Sequence, residues 1–189
     1  GRRHDGMASG AHATHVVVDV DRVVPVPDGV THPRAAGLLF GATTASHFLR
    51  RADERRTAKG VAPIGHGVSV LVIGASGAVG TNAVQLAANV GATVTGLCSS
   101  DNADLVRRLG AAMVLDRHRV DLRDHPERYD VVLDAVGELG IADARRLLAP
   151  DGVLLLVAAG LADTVRARGD VVAGTAPERT DEMVRLLGK

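Results

Sequence analysis

The sequence predicts an α/β fold of the Rossmann type, a doubly wound and mainly parallel sheet. Three observations carry this reading. Valine-rich apolar runs stand at residues 68–73 and 92–98. The small-residue turn Gly74-Ala75-Ser76-Gly77-Ala78-Val79-Gly80 joins the first run to a helical pattern. Strand-length runs and helix-length segments then alternate down to about residue 157, as repeated βαβ units should.

Taken in order, residues 16–20 and 23–26 read as two short strands, and Pro25, Pro27, Asp28 and Gly29 end them. Residues 33–50 read as a helix through Ala35, Ala36, Leu39, Phe40, Thr43 and Phe48, weakened by Gly37 and Gly41. Residues 50–59 read as a charged, solvated stretch. After the strand at 68–73, residues 79–90 carry helical spacing that Gly91 stops, and 92–98 is the second strand. A helix at 101–109 places Leu105, Val106 and Leu109 inward, and strands follow at 112–115 and 129–133. A helix at 141–148 leads through the turn Pro150-Asp151-Gly152 into a strand at 153–157. Residues 171–173 read as a last strand and 177–187 as a last helix.

Composition narrows the function classes. Lysine and arginine number 22 against 22 acidic residues, a balance that argues against an electrostatic nucleic-acid binder. Phe40, Phe48 and Tyr129 are the only aromatic residues, too few for base stacking. One cysteine, Cys98, allows no intramolecular disulfide or cysteine-rich zinc cluster and fits a reducing, cytoplasmic setting. No run of eighteen apolar residues occurs, so no membrane is expected. Residues 1–10 lack the apolar segment of a secretory signal.

The turn is where chemistry is expected. Gly77 has no side chain, so a pyrophosphate could approach its backbone, and Gly80 lets the helix pack closely on the sheet. Free amides and the dipole at the helix start, around Ser76, Ala78 and Val79, favour an anion. The match is AxGxxG in the usual frame, because Ala75 stands at its first position. The second strand should end at the adenosine ribose, where an NAD site commonly carries an acidic residue. Here Ser99 and Ser100 follow Cys98, which favours NADP(H) over NAD(H), while Asp101 opposes a phosphate.

These residues resemble the medium-chain dehydrogenase/reductase superfamily, in its zinc-independent quinone oxidoreductase-like branch. The matching segments are residues 21–29, Ala42-Thr43-Thr44-Ala45, residues 70–80, Asp134-Ala135-Val136-Gly137 and residues 147–152. The resemblance implies that Thr44 borders the cofactor on its nicotinamide side. It implies that Val136 and Gly137 pass a ribose, and that Ala159 and Gly160 lie in the turn against the nicotinamide. It divides the chain into a partial GroES-like remnant (1–30), a connecting helical region (31–66) and a dinucleotide-binding domain (67–189). Both ends of the family's substrate domain are expected to be missing.

The implied activity is hydride transfer from NADP(H) to a small quinone or enone, without zinc. No catalytic acid or nucleophile is assigned. The alternative is a non-catalytic dinucleotide-binding or partner-binding remnant. A homodimer through the edge strand near Val171 is also implied. His12 and His15 lack a third ligand for a metal. A short-chain dehydrogenase is disfavoured because Leu133, not lysine, stands four residues after Tyr129. Arg117, His118, Arg119 and Arg123 are interleaved with acidic residues and read as a solvated loop.

Overall fold

The computed structural model describes residues 14–158, 160, 167–177 and 180–187. The strands are β1 (Ser69–Ile73), β2 (Thr93–Cys98), β3 (Met113–Asp116), β4 (Tyr129–Asp134), β5 (Leu148–Leu156) and β6 (Val171–Ala173). The helices are α1 (His32–Ala58), α2 (Ala78–Asn89), α3 (Ala103–Arg108), α4 (Ile141–Arg145) and α5 (Thr180–Leu187). The strands form one sheet in the order β3-β2-β1-β4-β5-β6, and every neighbouring pair is parallel. This is the doubly wound Rossmann arrangement that the alternation predicts.

Strand side chains alternate between the two faces, and both faces are covered. Val70, Val72, Val131 and Leu133 pack with Phe48, Ala52, Val84 and Val106 from α1, α2 and α3. Leu71, Ile73, Val132 and Leu154 pack on the other face with Leu97, Ala144 and Leu147. Burial on both sides explains why these strands read as continuous apolar runs. The strand order reverses between β1 and β4, so the loops leaving these two strands diverge and open a crevice at their carboxyl ends.

Four expectations are corrected. First, α1 is one helix of 27 residues, and the charged stretch 50–59 belongs almost wholly to it. Ala52 and Arg56 in that stretch are buried. Gly41 does not break the helix: a Cβ there would lie 2.3 Å from the Ala78 carbonyl oxygen, so its absence lets α1 cross the start of α2. Second, residues 14–30 form no strand; they hold the short 3₁₀ turn Val20–Arg22 and a turn at 28–29 closed by the Val30 amide on the Pro27 carbonyl. Val16, Val17 and Val20 are exposed there with no sheet to join, so the described residues show no distinct GroES-like unit. Third, Pro150, Asp151 and Gly152 lie inside β5, which starts at Leu148. The register against β4 shifts between Tyr129 and Val131, and Asp151 takes a φ of 62°. The expected turn is thus a bulge within the strand. Fourth, α4 stops at Arg145, ahead of the expected 148.

The last strand, β6, stands at the sheet's edge. Among the described residues no helix is long and apolar enough to cross a membrane.

A buried cation ties α1 to the sheet. The Arg56 Nε donates to the Ala62 carbonyl at 2.7 Å, and its Nη1 reaches the Asp130 carbonyl and carboxylate at 3.3 and 3.4 Å. The other Asp130 oxygen accepts from the Ser69 amide and hydroxyl at 2.9 and 2.8 Å, joining the starts of β1 and β4. Burial alone would push the Asp130 carboxyl up; the two Ser69 bonds and the Arg56 charge outweigh it and hold it below the usual range. A carboxyl lowered in this way adds stability above its unfolded pKa, and loses it as pH falls through the folded value. Arg56→Met should therefore lower the unfolding free energy by about 3 kcal/mol near neutrality. Urea titrations across pH should show that difference shrinking as pH falls through the lowered Asp130 value, below the usual carboxylate range.

Candidate functional site

The crevice between the β1 and β4 loops has a volume of about 180 Å³. One wall is the strand-to-helix elbow. β1 ends at Ile73, and the amides of Gly74 and Ala75 both donate to the Leu97 carbonyl, at 3.1 and 3.0 Å, fixing the elbow to β2. Gly80 sits where a Cβ would come within 2.1 Å of the Gly74 carbonyl oxygen, a contact no side chain tolerates. Its absence seats the first turn of α2 against the end of β1.

Gly77 is the N-cap of α2 and supplies no capping side chain. Its own amide is committed to the Gly74 carbonyl at 3.0 Å. The free donors are therefore those that follow, in the first turn at Ala78 and Val79, where helix geometry gives an amide no partner within the helix. Gly77 and Ala78 are exposed, so this positive helix end faces open space at the sheet edge.

The opposite wall is held by Asp134, the last residue of β4 and fully buried. Its Oδ1 accepts from the amides of Val136 and Gly137 at 3.0 and 2.8 Å, and its Oδ2 from Leu139 at 3.1 Å. The carboxylate folds the loop back, which brings Val136 over the elbow: its Cγ1 would lie 2.7 Å from a Cβ at Gly74. Gly137 faces the Ala158 carbonyl, so the loops after β4 and β5 meet.

The crevice thus gathers Ser76, Gly77, Ser99 and Val136 from the residues singled out in the sequence. Ala78, Val79 and Gly80 form the helix start beside it. Ser100 opens the turn Ser100–Asn102 and is exposed, outside the crevice wall. Thr44 is buried and lines a different space, an apolar cavity of about 930 Å³ between α1, α5 and residues 22–26. Val157, just past β5, lines the same cavity. Gly160 is exposed, and Ala159 lies outside the described residues.

Two crevice residues are not among the expected site residues: the sequence reads Arg117 as part of a solvated loop and does not single out Glu138. Arg117 follows β3, with its amide bonded to the Cys98 carbonyl at 3.0 Å, and Glu138 lies in the Asp134-anchored loop. Both line the crevice, with guanidinium and carboxylate 3.8 Å apart. Position was the available signal, since Arg117 is the first residue past the end of β3. Cys98 also borders the crevice, but burial pushes its thiol up and the Asp116 charge adds to this, so it is no ready nucleophile.

The two glycines that bring backbone to the crevice, the open helix start and the anchored loop suit an anionic dinucleotide. A metal does not fit in the same way. Among the described residues no group of three or more His, Cys, Asp or Glu side chains is placed to hold one. His15 is exposed, and His12 lies outside the described residues.

The model of the zinc-binding dehydrogenase family matches residues 78–176, more than half of the chain. The NADPH-dependent alkenal/one oxidoreductase of Arabidopsis thaliana chloroplasts is 33% identical over 130 residues, which are 68% of this chain and 31% of that protein. The 2-methylene-furan-3-one reductase of Solanum lycopersicum is 31% identical over 131 residues, again 68% of this chain and 31% of that protein. In fold, the chain superposes on the quinone oxidoreductase of Coxiella burnetii with a TM-score of 0.74 and 24% identity, over 87% of this chain and 51% of that one. The chain spans about a third of the length of the curated relatives named here.

Asp134 is the polar anchor of this site. Asp134→Asn keeps the shape but turns an amide N–H₂ toward backbone donors, and should cost about 2 kcal/mol of stability. Hydrogen exchange should quicken at the Val136, Gly137 and Leu139 amides ahead of the strands. Unchanged protection at all three would show that the loop is held by something else.

Proposed function

This chain belongs to the zinc-binding dehydrogenase family, and we propose that it is an NADP(H)-dependent oxidoreductase that reduces conjugated carbonyl compounds of the enone or quinone type. The observation that carries the proposal is the elbow, where two closely packed glycine positions leave an uncapped helix start open at the strand-order reversal. The reading is supported by the similarity to an NADPH-dependent alkenal/one oxidoreductase and to a 2-methylene-furan-3-one reductase. The domain assigned to the dinucleotide is residues 67–189.

When bound, a reduced nicotinamide supplies the hydride. The protein's part is binding and orientation. In this proposal the amides of Ala78 and Val79 hold the pyrophosphate, with Ser76 and Gly77 lining its approach. Ser99, and Ser100 beside it, meet the adenosine ribose, and Val136 and Gly137 border the path toward the nicotinamide. Ala159 and Gly160 are assigned to the turn beside that ring. Thr44 and Val157 in the apolar cavity then mark the acceptor side. That cavity, walled by Leu39, Phe40 and Met183 among others, would receive an apolar carbonyl compound, and it stays open to solvent where Leu39 and Phe40 are exposed. Its described walls offer no carboxylate; His32 is the titratable proton donor among them, and the exposed rim admits solvent as the other source of a proton for the product enolate. The family's name implies zinc, but the described residues do not fit that ion and no step is routed through it.

The test is a fluorescence titration of the chain with NADPH, followed by NADPH oxidation with but-3-en-2-one. Saturable binding with oxidation supports the proposal. Binding without oxidation would favour a non-catalytic dinucleotide module. Gly77→Ala is the matched variant. Gly77 has φ −79° and ψ 174°, a backbone open to any residue, so the variant should fold. Its methyl would stand where the anion approaches, and NADPH should bind about tenfold more weakly or worse.

A further inference from the structure

The apolar cavity is larger than a small enone needs, and it is graded along its length. At about 930 Å³ it stands near the top of the range for pockets that hold drug-sized ligands, about 300–1,000 Å³. One wall is a stripe of α1 in which His32, Ala36, Phe40, Thr44 and Phe48 recur at every fourth residue. Exposure falls along that stripe: His32, Ala36 and Phe40 are exposed, whereas Thr44 and Phe48 are buried. The cavity thus has a mouth toward the start of α1 and a buried end at Thr44 and Phe48. From His32 to Thr44 the helix rises about 18 Å, the reach of an extended chain of about a dozen carbons with its polar ends.

The two ends differ in chemistry. Arg22, on the wall of residues 22–26, and His32 are the ionisable side chains of the described lining, and both are exposed at its rim. No described Asp or Glu lines the cavity; Glu182 of α5 is bonded to Ser46 and Arg185 instead. The first turn of α1 has no acidic residue, and its N-cap Thr31 makes no side-chain capping bond, so the helix start adds positive charge beside His32. At the far end Thr44 is only 6% exposed, and its hydroxyl has no hydrogen-bond partner among the described residues. The neighbouring Thr43 hydroxyl is committed to the Leu39 carbonyl. Leu39, Phe40, Met183 and Leu187 make the walls between apolar.

We propose that this cavity takes a long apolar chain with a carboxylate at one end and the conjugated carbonyl at the other. The carboxylate rests against Arg22 and His32, the chain lies along α1, and the Thr44 hydroxyl donates to the carbonyl oxygen. The inference rests on the oxidoreductase reading above and narrows its acceptor to a carboxylate-ended enal or enone. In the reduction the C=C bond takes the hydride of NADPH at the β-carbon and a proton at the α-carbon, and the carboxylate is unchanged. With His32 about 18 Å from Thr44 along the helix, that proton comes from solvent.

Displacement of cis-parinaric acid, a fluorescent polyene fatty acid, from the full chain reads the cavity without dinucleotide. Dodecanoic acid should bind about tenfold more tightly than 1-dodecanol, and hexanoic acid far more weakly than either. Arg22→Gln and His32→Gln should each weaken dodecanoic acid about threefold and leave 1-dodecanol unchanged. Added salt should likewise weaken only the acid. 12-Oxododec-10-enoic acid should bind about threefold more tightly than dodecanoic acid, and Thr44→Val should remove that gain alone. Equal affinity for dodecanoic acid and 1-dodecanol, or variants that weaken both alike, would overturn the inference, while NADPH oxidation with but-3-en-2-one would leave the oxidoreductase reading intact. No binding of parinaric acid by a chain that is dimeric in light scattering would mean that a second copy fills the cavity, and would also overturn it. Carboxylate-dependent binding by a chain that binds no NADPH would remove the oxidoreductase reading and leave the carboxylate site standing.

Discussion

Between Gly80 and the Gly74 carbonyl there is room for a hydrogen atom and nothing larger. A Cβ would sit 2.1 Å from that oxygen. Everything at the carboxyl edge of the sheet follows from this contact. It lets α2 start directly on the end of β1, pointing its unpaired amides into the gap between the β1 and β4 loops. The Leu97 carbonyl completes the arrangement by taking two amides of the elbow, so the turn is tied to β2 as well as to its own helix. A side chain at position 80 would push the helix away, and the positive helix end with it.

The second wall solves a different problem. A loop leaving a buried strand exposes amides that need acceptors. Asp134 answers three of them at once with one carboxylate, fully removed from water. Its three accepted bonds, at 2.8 to 3.1 Å, tie the loop to the end of β4. Elbow and loop are therefore held by unlike means, one steric and one polar, and the crevice is the space they leave.

The parts legible in the sequence were those with a local signature. The strands β1, β2 and β4 stand within a residue or two of their apolar runs, and the helix at 78–89 follows its glycine turn. Other parts depend on tertiary context. The charged segment at 50–59 looked solvated, yet Arg56 is buried because Asp130, 74 residues away, stands opposite it. The valines of 16–26 looked like strands, but extended apolar residues become strands only where a neighbour pairs with them, and none does. Pro150, Asp151 and Gly152 suggested a turn, whereas a strand in register trouble absorbs them as a bulge. At the site, Gly77 and Val136 were readable from their motifs. Arg117 and Glu138 were not: the alternating charges around Arg117 read as a solvated loop and masked its place just past the end of β3.

The account stands on the first turn of α2 receiving an anion. Amide chemical-shift titration of the labelled chain with NADPH, and separately with inorganic pyrophosphate, reads this residue by residue. Both ligands should move the Ala78 and Val79 amides saturably, and NADPH alone should also move Ser99. If those two helix amides stay still while either ligand binds elsewhere, the elbow is only a packing device and the site lies in another part of the molecule.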